Sequence, residues 1–273
     1  MAGDYRGYDG SLIVLFLRIF LVLANRWYAD EHSKVREVLF QDITNSRHIY
    51  ADIIYEWFGS NPSGCFLTAC LNSVVNLAAI YIASLVCMLG EEAFTKMNWA
   101  TFDWHVYGPK LLHDVTPVTF GDDNIIAVTD NVRHLIDQNK FTRALSLIGF
   151  EYTPEDKTDG ELAKPLRPVE DITFLKRSFA KTSLDGRYTC PLQFDVILEM
   201  TQWTKKGDLG AIEITNVNTA LEEMSLHPRA VFNKWSPKLL KAAQEILEYV
   251  PICTDYESLQ ARKLASEGYV GSA

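Results

Sequence analysis

The sequence predicts an α+β protein, and three observations predict it. Val115 to Thr119 and Ile125 to Thr129 are two short β-prone runs flanking the tight turn Gly121-Asp122-Asp123-Asn124, which reads as a β-hairpin. Cys65 to Gly90 is a stretch of 26 residues without a charge, long enough for one continuous helix. Beyond about residue 182 the pattern is mainly helical, whereas α and β signals are mixed before it.

Taken in order, Met1 to Leu15 reads as a strand running into a turn. An apolar helix follows to about Ala24. Arg18 interrupts this apolar run, and Asp4 and Asp9 stand where a secretory signal would carry basic residues, so it is not read as a signal peptide. Residues 30–60 are mixed and contain the strand-like stretch HIYADIIY. Gly59-Ser60-Asn61-Pro62-Ser63-Gly64 is a turn cluster that leads into the uncharged helix. By length alone that helix could cross a membrane. Thr68, Asn72 and Asn76 lie at i, i+4 and i+8, however, and make a polar stripe on one face. A buried core helix with a functional polar edge is the reading this favours. Residues 131–148 predict a helix with Leu135, Leu145 and Ile148 on its apolar face and Gly149 as its stop. Pro154 to Val169 reads as loop and Ile172 to Phe179 as a strand. Ser236-Pro237 reads as an N-cap followed by proline at the first helical position, opening a helix whose face is Leu239, Ala243, Ile246, Leu247 and Val250. The predicted domain boundary is near residue 182.

With 48% hydrophobic and 22% charged residues in 273, the chain is long and apolar enough for a folded core. Its 15 Gly and 10 Pro exclude collagen-like or disordered classes. The net charge of −9, taken alone, counts against a nucleic-acid partner. The charge is uneven. Residues 63–130 carry seven acidic and two basic side chains, whereas Lys176, Arg177 and Lys181 cluster with no acid among residues 174–181. The five cysteines (Cys65, Cys70, Cys87, Cys190, Cys253) form no C-x-x-C pair and are expected to be buried, reduced thiols of a cytosolic chain.

The chemistry concentrates on carboxylates. Asp122 and Asp123 are adjacent at a hairpin tip, and two ionised carboxylates this close are unfavourable unless a cation lies between them. Hard oxygen ligands on a short turn suit Mg²⁺, which accepts one or two protein carboxylates and keeps room for phosphate oxygens. A solvated Asp-Asp turn is the competing reading. Asp4 and Asp9 close the first strand. If that strand lies beside the hairpin, Asp4 and Asp122 converge, and carboxylates from two strands suit the two-metal arrangement of phosphoryl transfer. Gly64 allows a flexible turn to approach a ligand closely, and the amide of Asn72 can hydrogen-bond a hydroxyl.

In order along the chain, these residues resemble the motifs of viral RNA-dependent RNA polymerases, specifically those of the picornavirus-like order (Picornavirales). Asp4-x4-Asp9 resembles motif A. Pro62-Ser63-Gly64-x3-Thr68-x3-Asn72-Ser73-x2-Asn76 resembles motif B. Phe120-Gly121-Asp122-Asp123 resembles motif C, with Phe where Tyr is usual. Gly149-Phe150-x2-Thr153-Pro154-x-Asp156-Lys157 resembles motif D, and Phe174-Leu175-Lys176-Arg177-x-Phe179 resembles motif E. Five motifs in the family's order, over residues 4–179, are far more specific than any one of them.

The resemblance implies a polymerase palm, an antiparallel sheet flanked by helices, over residues 1–182, with part of 25–62 allotted to the fingers, and a mainly α-helical thumb over 183–273. It implies RNA-directed RNA polymerisation for a positive-strand RNA virus by a two-Mg²⁺ mechanism, with Mn²⁺ able to substitute. Asp4 and Asp122 would be the catalytic metal ligands, with Asp123 in support. Asp9 and Asn72 would recognise the ribose 2′-hydroxyl, with Thr68 supporting them, and Ser63 and Gly64 would contact template or nucleotide. Lys157 would protonate the leaving pyrophosphate. Lys176 and Arg177 would hold the primer backbone, contacts that position rather than specify. The implied partners are an RNA template and primer, ribonucleoside triphosphates, a protein primer and other viral replication proteins, in membrane-associated replication complexes of the host cytoplasm. No integral membrane segment is expected.

The polymerases it resembles carry a basic fingers domain ahead of motif A. The sequence is therefore read as a palm-plus-thumb portion without most of the fingers, inactive or nearly so alone, which also accounts for the acidic charge. Two other readings stay open. A reverse transcriptase or other palm-type polymerase would share the carboxylates but lack the Ser63-Gly64-x3-Thr68-x3-Asn72 pattern. A non-catalytic membrane or scaffold protein would use residues 65–90 as an anchor.

Overall fold

The computed structural model describes residues 1–62, 64–155, 157, 160–181, 188–203 and 207–266, and the chain divides into two units, Met1–Arg167 and Pro168–Ala273. The boundary near residue 182 expected from the sequence falls inside the second unit.

In the first unit, β1 (Ala2–Tyr5) leads through the short α1 (Tyr8–Ser11) into α2 (Val14–Tyr28) and α3 (Ser33–Thr44). The strand is shorter than expected because Gly7, at a left-handed φ of 62°, turns the chain into α1. The strand-like HIYADIIY is two strands, β2 (Asn45–Tyr50) and β3 (Ile53–Phe58), paired antiparallel across Ala51-Asp52. Next come α4 (Thr68–Leu89), α5 (Glu91–Thr95) and α6 (Trp104–Asp114). The expected hairpin is β4 (Val115–Phe120) and β5 (Asp123–Val128), and α7 (Gln138–Leu147) and β6 (Tyr152–Pro154) complete the unit.

The sheet order is β4-β5-β1-β6, antiparallel throughout. Its register brings the motifs together. Phe120 pairs with Asp123 across the hairpin, Gly3 pairs with Asn124, and Asp4 pairs with Thr153. A Cβ on Gly3 would lie 2.3 Å from the Tyr152 ring, so this close packing of strands needs glycine there. α4 covers the sheet, packing on β4, α7 and α2. Its Leu71, Val75, Ala79, Ile80, Ala83 and Val86 lie in the core with Phe16, Leu17, Val115, Ile126 and Phe141. Tyr5 joins them, with ring centroids 4.8 Å from Tyr8, 5.4 Å from Phe150 and 5.0 Å from Tyr152. α4 is long and apolar enough to cross a membrane; in this unit its apolar face is packed as core, as the polar stripe suggested.

One expectation for this unit, and one for the cysteines of both units, are corrected. The helix predicted over 131–148 starts only at Gln138: Val132 and Leu135 sit in turns, and the Asp137 side chain caps the helix by accepting the Lys140 N–H at 2.9 Å. The cysteines are free thiols, but none is fully buried: Cys70 is exposed and the other four are half-buried. Cys70 adjoins core-facing Leu71, and one residue turns an α-helix by about 100°, which carries its thiol off the packed face.

In the second unit a 3₁₀ turn (Val169–Asp171) precedes β7 (Thr173–Phe174), β8 (Arg177–Ser178), β9 (Ala180–Lys181) and β10 (Tyr188–Thr189). The expected strand Ile172–Phe179 is instead a tight hairpin. Leu175 and Lys176 take left-handed φ values of 52° and 63° and reverse the chain between β7 and β8. Helices α8 (Phe194–Met200), α9 (Leu209–Met224), α10 (Arg229–Leu247) and α11 (Tyr256–Ser266) follow, so this part is mainly helical. α10 starts at Arg229 and not at Ser236, with Pro237 inside it. Proline denies the Asn233 carbonyl its helical donor. The helix runs through because Phe232 and Trp235 before it and Leu239 and Ala243 after it share one core with Leu221 and Met224. Ile246 and Val250, expected on that face, are 78% and 64% exposed.

Candidate active site

The hairpin tip is held from the side by α4. Gly121 takes a φ of 64°, which glycine adopts without strain, and lets the chain reverse between β4 and β5. The Gly121 N–H donates to Ser73 Oγ at 2.7 Å, and Thr119 Oγ1 donates to the Ser73 carbonyl at 3.1 Å. The Asn76 amide reaches all three carbonyls of the turn, Gly121 at 3.1 Å, Asp122 at 2.9 Å and Asp123 at 3.3 Å. Asn76 is fully buried. Its Oδ1 accepts from Tyr5 Oη at 3.0 Å and from Asn124 Nδ2 at 3.5 Å, and Tyr152 Oη donates to Asn124 Oδ1 at 2.6 Å. Such a network is costly if broken, because each buried polar group needs its partner.

One turn earlier on α4, Asn72 donates to Asp9 Oδ1 at 3.2 Å and accepts from Asn61 Nδ2 at 2.9 Å. Tyr8 Oη donates to the Asn72 carbonyl at 2.9 Å. Thr68 does not join this pair through its hydroxyl, which donates to the Pro62 carbonyl at 2.9 Å. The expected support of the pair comes instead from Asn61, whose role was not read from the sequence. Its place in a Gly-Ser-Asn-Pro turn gave no signal beyond loop.

Three carboxylates share this space. Burial raises the Asp122 carboxyl above its ordinary value, backbone N–H groups of its own turn pull it back, and the charges of Asp4 and Asp9 push it up further. Lys157, at a left-handed φ of 58°, pairs with Asp4 through Nζ to Oδ2 at 3.1 Å. Asp123 opens β5 opposite Phe120 and is half-buried.

A family model of viral RNA-dependent RNA polymerase matches residues 1–244. The chain belongs to this family. It is 36% identical over 250 residues to a replicase polyprotein of Acute bee paralysis virus (strain Rothamsted), covering 90% of the chain and 13% of the polyprotein. Against a replicase polyprotein of Drosophila C virus (strain EB) it is 30% identical over 269 residues, covering 93% of the chain and 15% of the polyprotein. In fold it matches a Sicinivirus 3Dpol RNA-dependent RNA polymerase with a TM-score of 0.71 at 21% identity, covering 97% of this chain and 50% of that one. The chain thus spans a small part of the curated relatives and half of the solved polymerase.

On the polymerase fold the motif positions can be followed one by one. Asp4, Asp9, Asn72, Asp122 and Lys157 come together at the end of the sheet where the β4–β5 turn lies. Gly64 is exposed in the turn before α4, with a φ of 102°. Ser63 lies outside the described residues. Lys176 and Arg177 belong to the second unit. Lys176 is exposed at the β7–β8 turn. The Arg177 guanidinium forks onto buried Glu223, with both nitrogens 3.0 Å from its oxygens, and NH1 also donates to the Cys190 carbonyl at 2.7 Å. Lys263 adds a second cation to Glu223 at 2.9 Å. Arg177 therefore has a structural task within its own unit, which its place in a basic cluster did not disclose.

Polymerases of this family use divalent cations, and the donor set here fits one. Asp4 and Asp122 offer hard oxygens, and their mutual repulsion is what a cation would relieve. Among the described residues no three carboxylate, His or Cys side chains are gathered closely enough to hold a metal alone. That suits an ion held by one or two protein carboxylates, with substrate phosphates and water completing its shell.

Proposed function

We propose that this chain forms the palm and thumb of an RNA-directed RNA polymerase of a positive-strand RNA virus, joining ribonucleotides to a primer on an RNA template. The observation that carries the reading is the Asn72–Asp9 hydrogen bond beside the Asp4–Asp122 carboxylates. A sugar-reading pair adjoins a cation-binding pair, and that suits a ribonucleoside triphosphate.

In this reading Asp4 and Asp122 hold Mg²⁺, with Asp123 in support, and the ion supplies charge neutralisation at the triphosphate and activation of the attacking oxygen. Asp9 and Asn72 bind the 2′-hydroxyl, the group that separates RNA from DNA precursors. Gly64 and Ser63 lie along the nucleotide or template path. The primer 3′-hydroxyl releases its proton to solvent and attacks the α-phosphate in line, the bond to the bridging oxygen breaks, and pyrophosphate leaves. Lys157 delivers a proton to that leaving group, moving from Asp4 once substrate is bound. Lys176 is offered to the primer backbone. The protein's contribution is positioning and electrostatics, not covalent chemistry.

The test is primer extension on an RNA template by a polymerase containing residues 1–273, with and without Mg²⁺. Mg²⁺-dependent incorporation of ribonucleotides is expected. Incorporation restricted to deoxyribonucleotides, or none from a folded enzyme supplied with template, primer and Mg²⁺, overturns the reading.

A further inference from the structure

We propose that Asn76, aided by Ser73, is a positioning residue that holds the Asp122 carboxylate in its cation-binding pose; the inference rests on the polymerase reading above. Asp122 sits on a two-residue turn against burial and the charges of Asp4 and Asp9. A turn this short has few bonds of its own. Asn124 Nδ2, from β5, donates to the Asp122 carbonyl at 3.3 Å, and the other side-chain bonds that fix the turn come from α4, on both sides of the peptide chain. Ser73 Oγ receives the Gly121 N–H, while Asn76 Nδ2 serves the carbonyls of Gly121, Asp122 and Asp123. An amide NH₂ has two protons, so three carbonyls share them and the turn can settle only where all three converge.

The Asn76 amide is itself oriented. Tyr5 Oη and Asn124 Nδ2 both donate to its Oδ1, so Nδ2 must face the turn. Tyr5 belongs to β1, the strand that carries Asp4, and is buried. The same amide therefore ties the Asp122 turn to the strand that presents Asp4. Neither Asn76 nor Ser73 touches substrate in this scheme; they act through the turn, as outer partners of metal ligands do.

The test uses Asn76→Ala, Ser73→Ala and Ser73→Thr in the active polymerase, assayed well below each variant's melting temperature and scaled to folded enzyme. Ser73 is only half-buried whereas Asn76 is fully buried, so Ser73→Ala is the variant expected to fold where Asn76→Ala does not. The expectation for each alanine variant is a ~10–100-fold fall in kcat. KM for the nucleotide stays nearly constant, and the Mg²⁺ concentration for half-maximal rate rises several-fold. Ser73→Thr keeps the hydroxyl and restores both values. Loss of melting temperature with an unchanged Mg²⁺ requirement in Ser73→Ala overturns the proposal, since a merely structural role gives that result. Asp122→Asn is the control: if it retains activity, the polymerase site itself is misassigned, whatever the α4 variants do.

Discussion

The Asn72 side-chain amide donates to the Asp9 carboxylate at 3.2 Å, joining α4 to the segment after β1 across 63 positions of sequence. Asn61 fixes the other end of the same amide. A 2′-hydroxyl placed here meets a charged acceptor and a donor with defined directions. Asn72→Ala should lower the ratio of kcat/KM for ribo- over deoxyribonucleotides by about 10–100-fold, as expected for losing a hydrogen bond to a charged group worth ~1.5–3 kcal/mol. Competition assays with matched ribo- and deoxyribonucleotides measure it, and an unchanged ratio removes Asn72 from sugar selection.

Asp122 carries opposite consequences for stability and for catalysis. Its carboxyl lies above its ordinary value because of burial and of Asp4 and Asp9, so the folded state holds that proton more tightly than the unfolded chain. The penalty for ionising it is present at neutral pH and is relieved as pH falls through the raised value. Asp122→Asn should therefore stabilise the cation-free protein at pH 7 by on the order of 0.5 kcal/mol after solvent screening, with the gain fading in acid. Incorporation should vanish. Added Mg²⁺ should stabilise the wild type more than the variant, and thermal melts with and without Mg²⁺ at two pH values would show it.

Lys157 is 74% exposed and contacts Asp4. A surface pair of this kind contributes little to folding, so Lys157→Met should leave the melting temperature almost unchanged. As a general acid it should matter much more, with kcat falling by about 100-fold at constant nucleotide KM. Single-turnover incorporation together with a thermal melt separates the two effects. A wild-type rate in the variant excludes the proton-transfer role.

Arg177 offers the reverse case. Burial alone would raise the Glu223 carboxyl, but Arg177 and Lys263 outweigh that and hold it below its ordinary value. Its contribution to stability is present above the usual glutamate range and is lost as pH falls through the depressed value. Arg177→Ala should destabilise the second unit by about 1–3 kcal/mol, since a buried carboxylate keeps only part of its compensation. Denaturant melts at pH 7 measure this. A stable variant that binds primed RNA more weakly would return Arg177 to the primer backbone.

Local residue patterns made the hairpin and the polar stripe of α4 readable, the roles at the centre of the site came from the resemblance, and the supports stayed obscure. Gly-Asp-Asp between two β-prone runs, and Thr68, Asn72 and Asn76 one helical turn apart, carry short-range signals that survive folding. The helix-start signal at Ser236-Pro237 failed because packing of Phe232 and Trp235 outweighed local preference. The strand at 172–179 failed because Leu175 and Lys176 take backbone conformations that their side chains do not advertise. Asn61 and the fork from Arg177 to Glu223 depend on partners 11 and 46 positions away, and a local pattern holds no record of such distances.

α4 presents Asn72 to Asp9 and, one turn on, Asn76 to the Asp122 turn. In the polymerase reading proposed above, sugar choice and carboxylate placement both depend on this one helix. On that reading, a change that slides or rotates this helix would alter discrimination between ribo- and deoxyribonucleotides and the rate of incorporation together.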